Sequence, residues 1–330
     1  MTRPYGYMDT ELARRIISEL GANNICERVT FHVMGEPTLH KDFFSILRHA
    51  EKEGVKVGLT TNGARLGAEI GKGLLEHNLY QVDISLQTPD TNSFTLRKSG
   101  TLTFDRYIEG ILSFFSTYHD KYKETIFTFR FLNTRFHQMG MEKNRGQVRV
   151  ISSTKELRDT FKYWAGRIYD IVGVERQKRD SAIKGIDTLV SYKWNVVEIY
   201  KNIFFETYLL YEWGNAFEDE DIRNAWGGYC FGMRDHFAVL HNGDVVLCCL
   251  DFDGNTKVGN LRNSSLKEVL SSDELGKIMD GFKRFQLVHP YCRHCLGSKS
   301  LVSWFVKPAA LVVGLKILEP FFHRQTKVYQ

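Results

Sequence analysis

The chain reads as an α/β protein in two parts. An N-terminal domain of parallel strands and crossover helices precedes a small α+β, cysteine-rich module built on a β-hairpin. Three observations predict this. Short apolar strands alternate with helical stretches through the first two hundred residues. Polar residues (Glu36, Asn62, Gln87, Asn133) stand just past the strand ends. Five of the six cysteines fall between positions 230 and 295.

Asp9 can cap a first helix, whose apolar positions Leu12, Ile16 and Leu20 recur every four residues and whose end suits Gly21. Val29 to Met34 is a short strand that stops at Gly35-Glu36-Pro37. Phe43 to Glu53 is helical, and Val55 to Thr60 is a strand ending in Thr61-Asn62-Gly63. Leu74 and Leu75 belong to the next helix, Val82 to Leu86 to a strand, Tyr107 to Phe115 to a helix, and Ile126 to Leu132 to a strand. In a parallel barrel, ligands bind at the carboxyl edge of such strands. Beyond Thr134 the rhythm loosens. Leu157, Phe161 and Trp164 predict a helix, Arg176 to Asp180 an exposed loop, and Ile203 to Tyr211 a strand. Acidic Glu218 to Asp221 reads as a linker, so the expected domains are 1–215 and 222–300, with an apolar tail over 301–330.

Composition bounds the function. In 330 residues, 43% hydrophobic and 25% charged, there is ample material for a core. A net charge of +5 without a basic run argues against a nucleic-acid partner. No apolar signal-like stretch follows Met1, which points to the cytoplasm, where clustered thiols more often bind metal than pair as disulfides. In the tail, Lys307, Pro308, Lys316, Glu319 and Pro320 interrupt the apolar run from Leu301 to Phe322, too often for a span. A terminal helix packed on the domain is expected there, with membrane-surface contact or partner docking as the alternative.

In the cysteine module, two apolar runs flank His241-Asn242-Gly243-Asp244. Asn-Gly in that place predicts a type I′ hairpin turn with positive φ at both residues. The hairpin returns Cys248 and Cys249 towards Cys230. Neighbours on a strand face opposite ways, so one of the pair is spare. Cys292-Arg293-His294-Cys295 is a Cys-x-x-Cys turn, able to give two thiolates to one metal or cluster. Spacing alone leaves an iron–sulfur cluster, a structural zinc and unrelated thiols all open.

The module, from Tyr229-Cys230 through Asn242 to Asp251, Val258 to Leu261 and Cys292 to Cys295, resembles the auxiliary-cluster region of radical S-adenosylmethionine (SAM) enzymes, of the SPASM/twitch type. The resemblance implies one auxiliary [4Fe–4S] cluster on Cys230, Cys248, Cys292 and Cys295, with Cys249 surplus. The first domain resembles the radical SAM core, which implies a partial (β/α)6 TIM-type barrel, here missing its first strand. Met34-Gly35-Glu36-Pro37 stands at that family's Gly-Gly-Glu-Pro motif, with Met in place of the first Gly. Asn62 marks the next strand end, Ser85 the one after, and Arg130 the strand beyond. By the resemblance, Gly35, Glu36, Pro37, Asn62, Ser85 and Arg130 form the SAM-binding set. For Arg130, a structural pairing with an acidic neighbour is an equal alternative.

Radical chemistry in this family needs a Cys-x3-Cys-x2-Cys loop holding a second [4Fe–4S] cluster, and the first 229 residues contain only Cys26. The chain is therefore expected to begin just after that loop, or to be a naturally shortened protein, and as given to cleave no SAM. The expected intact protein is a radical SAM oxidoreductase or modifying enzyme abstracting a hydrogen atom from a peptide or sugar-like substrate. Its implied electron donor is a flavodoxin or ferredoxin. Arg234, Asp235 and residues between Thr134 and Asn202 are candidate substrate contacts. The rival expectation is a non-catalytic iron–sulfur or zinc protein acting in binding or electron transfer.

Overall fold

A computed structural model describes residues 2–135, 149–209, 222–230, 232–233 and 235–313. The expected linker 218–221, Arg234 and the tail beyond 313 lie outside those residues. Leu20–Glu212 makes one compact unit, and Met1–Glu19 with Trp213–Gln330 makes the other.

In the first unit a six-stranded sheet runs in the order β1 (Arg28–Phe31), β2 (Lys56–Thr61), β3 (Gln81–Gln87), β4 (Ile126–Asn133), β6 (Ile203–Leu209) and β5 (Val196–Tyr200). All neighbouring pairs are parallel except β5–β6. This is the mixed α/β sheet of a partial TIM-type barrel. The crossovers are helices α2 (Phe43–Lys52), α3 (Glu69–Leu74) and α5 (Phe104–Lys121), and then α6 (Thr154–Val172) with α7 (Arg176–Asp187). The first helix, α1 (Thr10–Asn23), starts where Asp9 Oδ1 accepts the Leu12 N–H at 3.0 Å.

The two faces of the sheet differ in chemistry because side chains alternate. Phe127, Phe129 and Phe131 of β4 and Phe205 of β6 are fully buried on one face. Phe115 of α5 meets Phe127 edge-on at 5.0 Å, and Phe161 of α6 lies 5.0 Å from Phe131. Each such side chain contributes about 1.5–3 kcal/mol by leaving water. The opposite face carries Thr60, Gln81, Asp83, Thr128, Arg130 and Glu206, in a register that pairs Thr60 with Asp83, Asp83 with Thr128, and Arg130 with Glu206.

Arg176 to Asp180, expected as a loop, is the first half of α7. Its charge density mimics a loop, but Ile186 and then Leu189 are buried at its far end. Strand β5 lacks the apolar run that marks its neighbours, being an edge strand with only Ile199 fully buried.

The second unit holds a three-stranded antiparallel sheet, β7 (Ala238–Val239), β8 (Asp244–Val246) and β9 (Lys257–Asn260). The hairpin forms where expected, but its turn is not type I′. Only Gly243 has positive φ, at 91°, while its N–H donates to Leu240 O at 2.8 Å and the Leu240 N–H donates to Asp244 O. That is a three-residue loop closing on a left-handed glycine, the other common hairpin solution. Helices α8 (Leu266–Leu270), α9 (Asp273–Lys283) and α10 (Pro290–Cys295) follow. In the tail, α11 (Leu301–Val313) incorporates Pro308 and is held by Trp304 Nε1 donating to Asn224 O at 2.8 Å. Leu301, Val302, Phe305 and Val306 of this helix are exposed, so its packing on the unit is partial. Among the described residues no helix is long and apolar enough to cross a membrane.

Candidate functional site

At the carboxyl edge of the sheet, Gly35 takes a φ of 114°, and Glu36 then caps a short turn opened by Pro37. The Glu36 carboxylate ties two strand ends together. Its Oε1 accepts from Thr38 Oγ1 at 2.7 Å and from Thr61 Oγ1 at 2.8 Å, and its Oε2 accepts from the Asn62 N–H at 2.7 Å. Oε2 accepts one bond among the described residues and retains acceptor capacity. Asn62 is exposed, with its side-chain oxygen accepting from the Ala64 N–H. Ser85 is half-buried on β3, one residue before Leu86 and on the same face as Asp83.

Arg130 sits between two carboxylates. Its Nε meets Glu206 Oε2 at 2.7 Å and its Nη2 meets Asp83 Oδ2 at 3.1 Å. Both acids are almost wholly buried. Asp83 also accepts from Gln81 Nε2 at 2.7 Å, and Glu206 from Trp194 Nε1 at 3.1 Å. Beside Asp83, the Thr128 hydroxyl is buried with no hydrogen-bond partner among the described residues. His32 is exposed to solvent at the end of β1. Desolvation first, and then the Arg130 charge, pull its pKa down to about 4. Trp194, Asp83 and Glu206 were not legible as part of this set, because an acid or a tryptophan on a strand has no diagnostic spacing.

In the second unit the thiols lie near enough to feel one another's charge. Burial pushes the Cys248 thiol up to about 12, and the next cause is the charge of Cys230. Burial likewise raises Cys292, followed by the charges of Cys230, Cys248 and Cys295. Cys292 and Cys295 lie one turn apart on α10, which opens with Pro290 and is capped by His289 Nδ1 accepting from the Tyr291 N–H. Cys230 Sγ accepts from the Gly232 N–H at 3.4 Å, and the Asp251 N–H donates to Cys248 O at 3.2 Å. A Cβ on Gly232 would lie 2.8 Å from Leu247 O and 3.2 Å from Cys248 Cβ, so only glycine lets these two segments approach. Cys249 acts on Cys248 but is not among the charges felt by Cys292. Both adjacent cysteines lie beyond the end of β8 at Val246, so strand alternation does not apply to them. Asp251, fully buried, braces the following loop through the Gly254, Asn255 and Thr256 N–H groups. No group of three or more His, Cys, Asp or Glu among the described residues is arranged to hold a metal ion. Cys26 is exposed and lies in the other unit.

Residues 1–129 match the family model of the radical SAM superfamily, and residues 230–296 match that of an iron–sulfur cluster-binding domain, SPASM. The second match begins at Cys230 and ends one residue past Cys295. The first 129 residues are thus similar to the radical SAM superfamily and the cysteine module to the SPASM domain, families whose cofactors are SAM and iron–sulfur clusters. A tungsten-containing aldehyde ferredoxin oxidoreductase cofactor-modifying protein of Pyrococcus furiosus is 31% identical over 86 residues, 26% of this chain and 24% of that protein. A probable GTP 3',8-cyclase of Methanocella arvoryzae is 29% identical over 154 residues, 46% of this chain and 48% of that protein. The matches thus span between a quarter and a half of these relatives. The structure of anSMEcpe with bound AdoMet is 16% identical, with a TM-score of 0.49 over 96% of this chain and 90% of that one.

The residues present fit SAM and offer, in the cysteine unit, thiols of the type that hold one cluster, though among the described residues they are not gathered into a metal site. At the sheet edge, an acidic oxygen with spare capacity and a buried cation offer partners to the amino and carboxylate groups of an amino-acid cofactor.

Proposed function

We propose that the chain is a radical SAM modifying enzyme. It binds SAM at the carboxyl edge of its sheet through Gly35, Glu36, Pro37, Asn62, Ser85 and Arg130, and holds one auxiliary [4Fe–4S] cluster on Cys230, Cys248, Cys292 and Cys295. The match of residues 230–296 to the SPASM family model, with Cys230, Cys248, Cys292 and Cys295 all in that span, supports this reading. Cys26 alone cannot hold the cluster to which SAM binds in this superfamily, so the chain by itself is expected to cleave no SAM. With that cluster supplied, SAM would give a radical able to abstract a hydrogen atom from a peptide or sugar-like substrate. The protein's own work is position and polarity. Glu36 accepts an ammonium group through Oε2 while Thr61 and Thr38 fix its orientation. Arg130, held by Asp83 and Glu206, presents a fixed positive charge on the polar face of the sheet. The His32 imidazole stays neutral at physiological pH, so it adds no competing cation beside Arg130. An auxiliary cluster held by Cys230, Cys248, Cys292 and Cys295 would supply a site able to accept an electron or ligate the substrate. A flavodoxin or ferredoxin serves as electron donor.

Anaerobic reconstitution tests the cluster. About four irons per chain and broad visible absorbance are expected, lost in each of Cys230→Ala, Cys248→Ala, Cys292→Ala and Cys295→Ala. Cys249→Ala keeps both. One zinc per chain with no colour would overturn the reading in favour of a non-catalytic zinc module.

A further inference from the structure

Two of the strand ends in the SAM-binding set share one guanidinium. Arg97, in the turn Thr95–Arg97 after the short helix α4 (Thr91–Phe94), donates from Nε to Thr88 Oγ1 at 2.7 Å and from Nη1 to Asn62 O at 3.2 Å. Its Nη2 donates to the carbonyls of Ser85 and Leu86, the latter at 2.6 Å. The guanidinium lies 4.9 Å from the centre of the Tyr107 ring, and the Tyr107 hydroxyl donates to the same Asn62 O at 2.8 Å.

The need for such a donor follows from the sheet. Pairing of β2 with β3 ends at Thr61 and Ile84, and the β3–β4 register shifts between Ile84 and Gln87. The carbonyls of Ser85 and Leu86 therefore fall where the ladders break down, and buried carbonyls require partners. The chain then turns sharply, with Gln87 at a φ of 47°, a conformation that a side chain other than glycine adopts only under constraint. Arg97 supplies that constraint from outside the strands. Its planar fork reaches acceptors on two strand ends at once, which a lysine ammonium on a single point cannot do.

We propose that Arg97 is a positioning residue that sets the β2 end at Asn62 against the β3 end at Ser85, and so gives the SAM-binding edge its shape. This rests on the reading of that edge proposed above. Arg97 acts through backbone carbonyls.

The test uses the full chain with Arg97→Ala and Arg97→Lys, and reads amide hydrogen exchange, SAM affinity by equilibrium dialysis, and thermal midpoint. In Arg97→Ala, exchange rises in peptides covering 61–63 and 84–88, while β4 and the cysteine unit keep their protection. SAM affinity falls about tenfold or more, the scale of one lost charge-assisted hydrogen bond. Millimolar methylguanidinium restores both, and Arg97→Lys is intermediate, whereas a residue needed only for global stability would show neither local loss nor chemical rescue. An Arg97→Ala protein with unchanged exchange at both strand ends overturns the proposal, as does exchange rising across the whole unit, or wild-type SAM affinity in a folded variant. Should the wild-type chain bind no SAM, the reading of the edge fails, and the exchange arm alone then decides the role of Arg97.

Discussion

Replacing Arg130 by methionine removes the one cation between Asp83 and Glu206 while preserving most of the side-chain volume. Those carboxylates are 5% and 4% exposed, so water cannot take over its role. Removing one partner from a buried ion pair costs about 3–5 kcal/mol, chiefly from the charge left behind. Gln81, Thr60 and Trp194 still donate to the two acids, which keeps the expected loss within that range. At about 2–4 °C per kcal/mol for a domain of this size, the thermal midpoint falls by roughly 10 °C.

The sign of the pH dependence is diagnostic. With the guanidinium gone, the neutral carboxyl is the less costly form to keep buried. The folded state then binds protons more readily, so stability decreases as pH rises. The deficit of Arg130→Met is therefore greatest at pH 8 and shrinks towards pH 5.5. Urea denaturation followed by far-ultraviolet circular dichroism at both pH values measures it. The triple variant Arg130→Met/Asp83→Asn/Glu206→Gln recovers most of the loss, because no buried charge remains. A deficit below about 1 kcal/mol at pH 8, or one that grows on acidification, refutes the account of this cluster.

Three further outcomes follow from the geometry. Glu36→Ala leaves the buried hydroxyls of Thr38 and Thr61 without their acceptor and costs about 2–4 kcal/mol, whereas Glu36→Gln costs less; equal midpoints for Glu36→Ala and wild type would contradict the strand-end tie. The His32 imidazole titrates near 4, by proton NMR, instead of at its ordinary 6.5. With its folded pKa depressed, the neutral form is the one the fold favours, so this residue withdraws stability as pH falls from about 6.5 towards 4. A midpoint above 6 would show that desolvation and the Arg130 charge do not act on His32. Gly232→Ala keeps every thiol but forces the Cys230 segment away from Leu247 and Cys248. Reconstituted iron then falls although the thiol count is unchanged, and full loading would show that the close approach is not required.

The parallel strands and their helices were legible because apolar alternation and cap residues report them locally: Asp9 caps α1, and Ile126 to Leu132 lies within β4. Both candidate sites were also legible, since Glu-Pro after a strand and Cys-x-x-Cys carry spacing. What supports them was not. Asp83 and Glu206 are ordinary acids until the register brings them to Arg130 from β3 and β6. The helix at Arg176 was hidden by its charge, because most of its side chains face water. The hairpin turn followed Gly243 alone: Asn242 keeps a negative φ, and the extra residue is absorbed by the loop, not by a second left-handed residue.

The two sites therefore share a construction that side-chain motifs do not reveal. At the sheet edge, Glu36 accepts from the Asn62 N–H and Arg97 donates to the carbonyls of Asn62, Ser85 and Leu86, so the main chain is fixed from both its donor and its acceptor side. In the cysteine unit, the Gly232 N–H points at the Cys230 sulfur and the Asp251 N–H at Cys248 O, while the Asp251 carboxylate anchors the loop that follows. Each site thus depends on backbone geometry held in part by residues that would touch neither cofactor, Arg97 and Asp251. Substituting a holder displaces several contacts at once, whereas substituting a contact residue removes only its own. Arg97 and Asp251 should therefore prove at least as sensitive as Ser85 or Asn62, whose side chains can be trimmed without moving the strands that carry them.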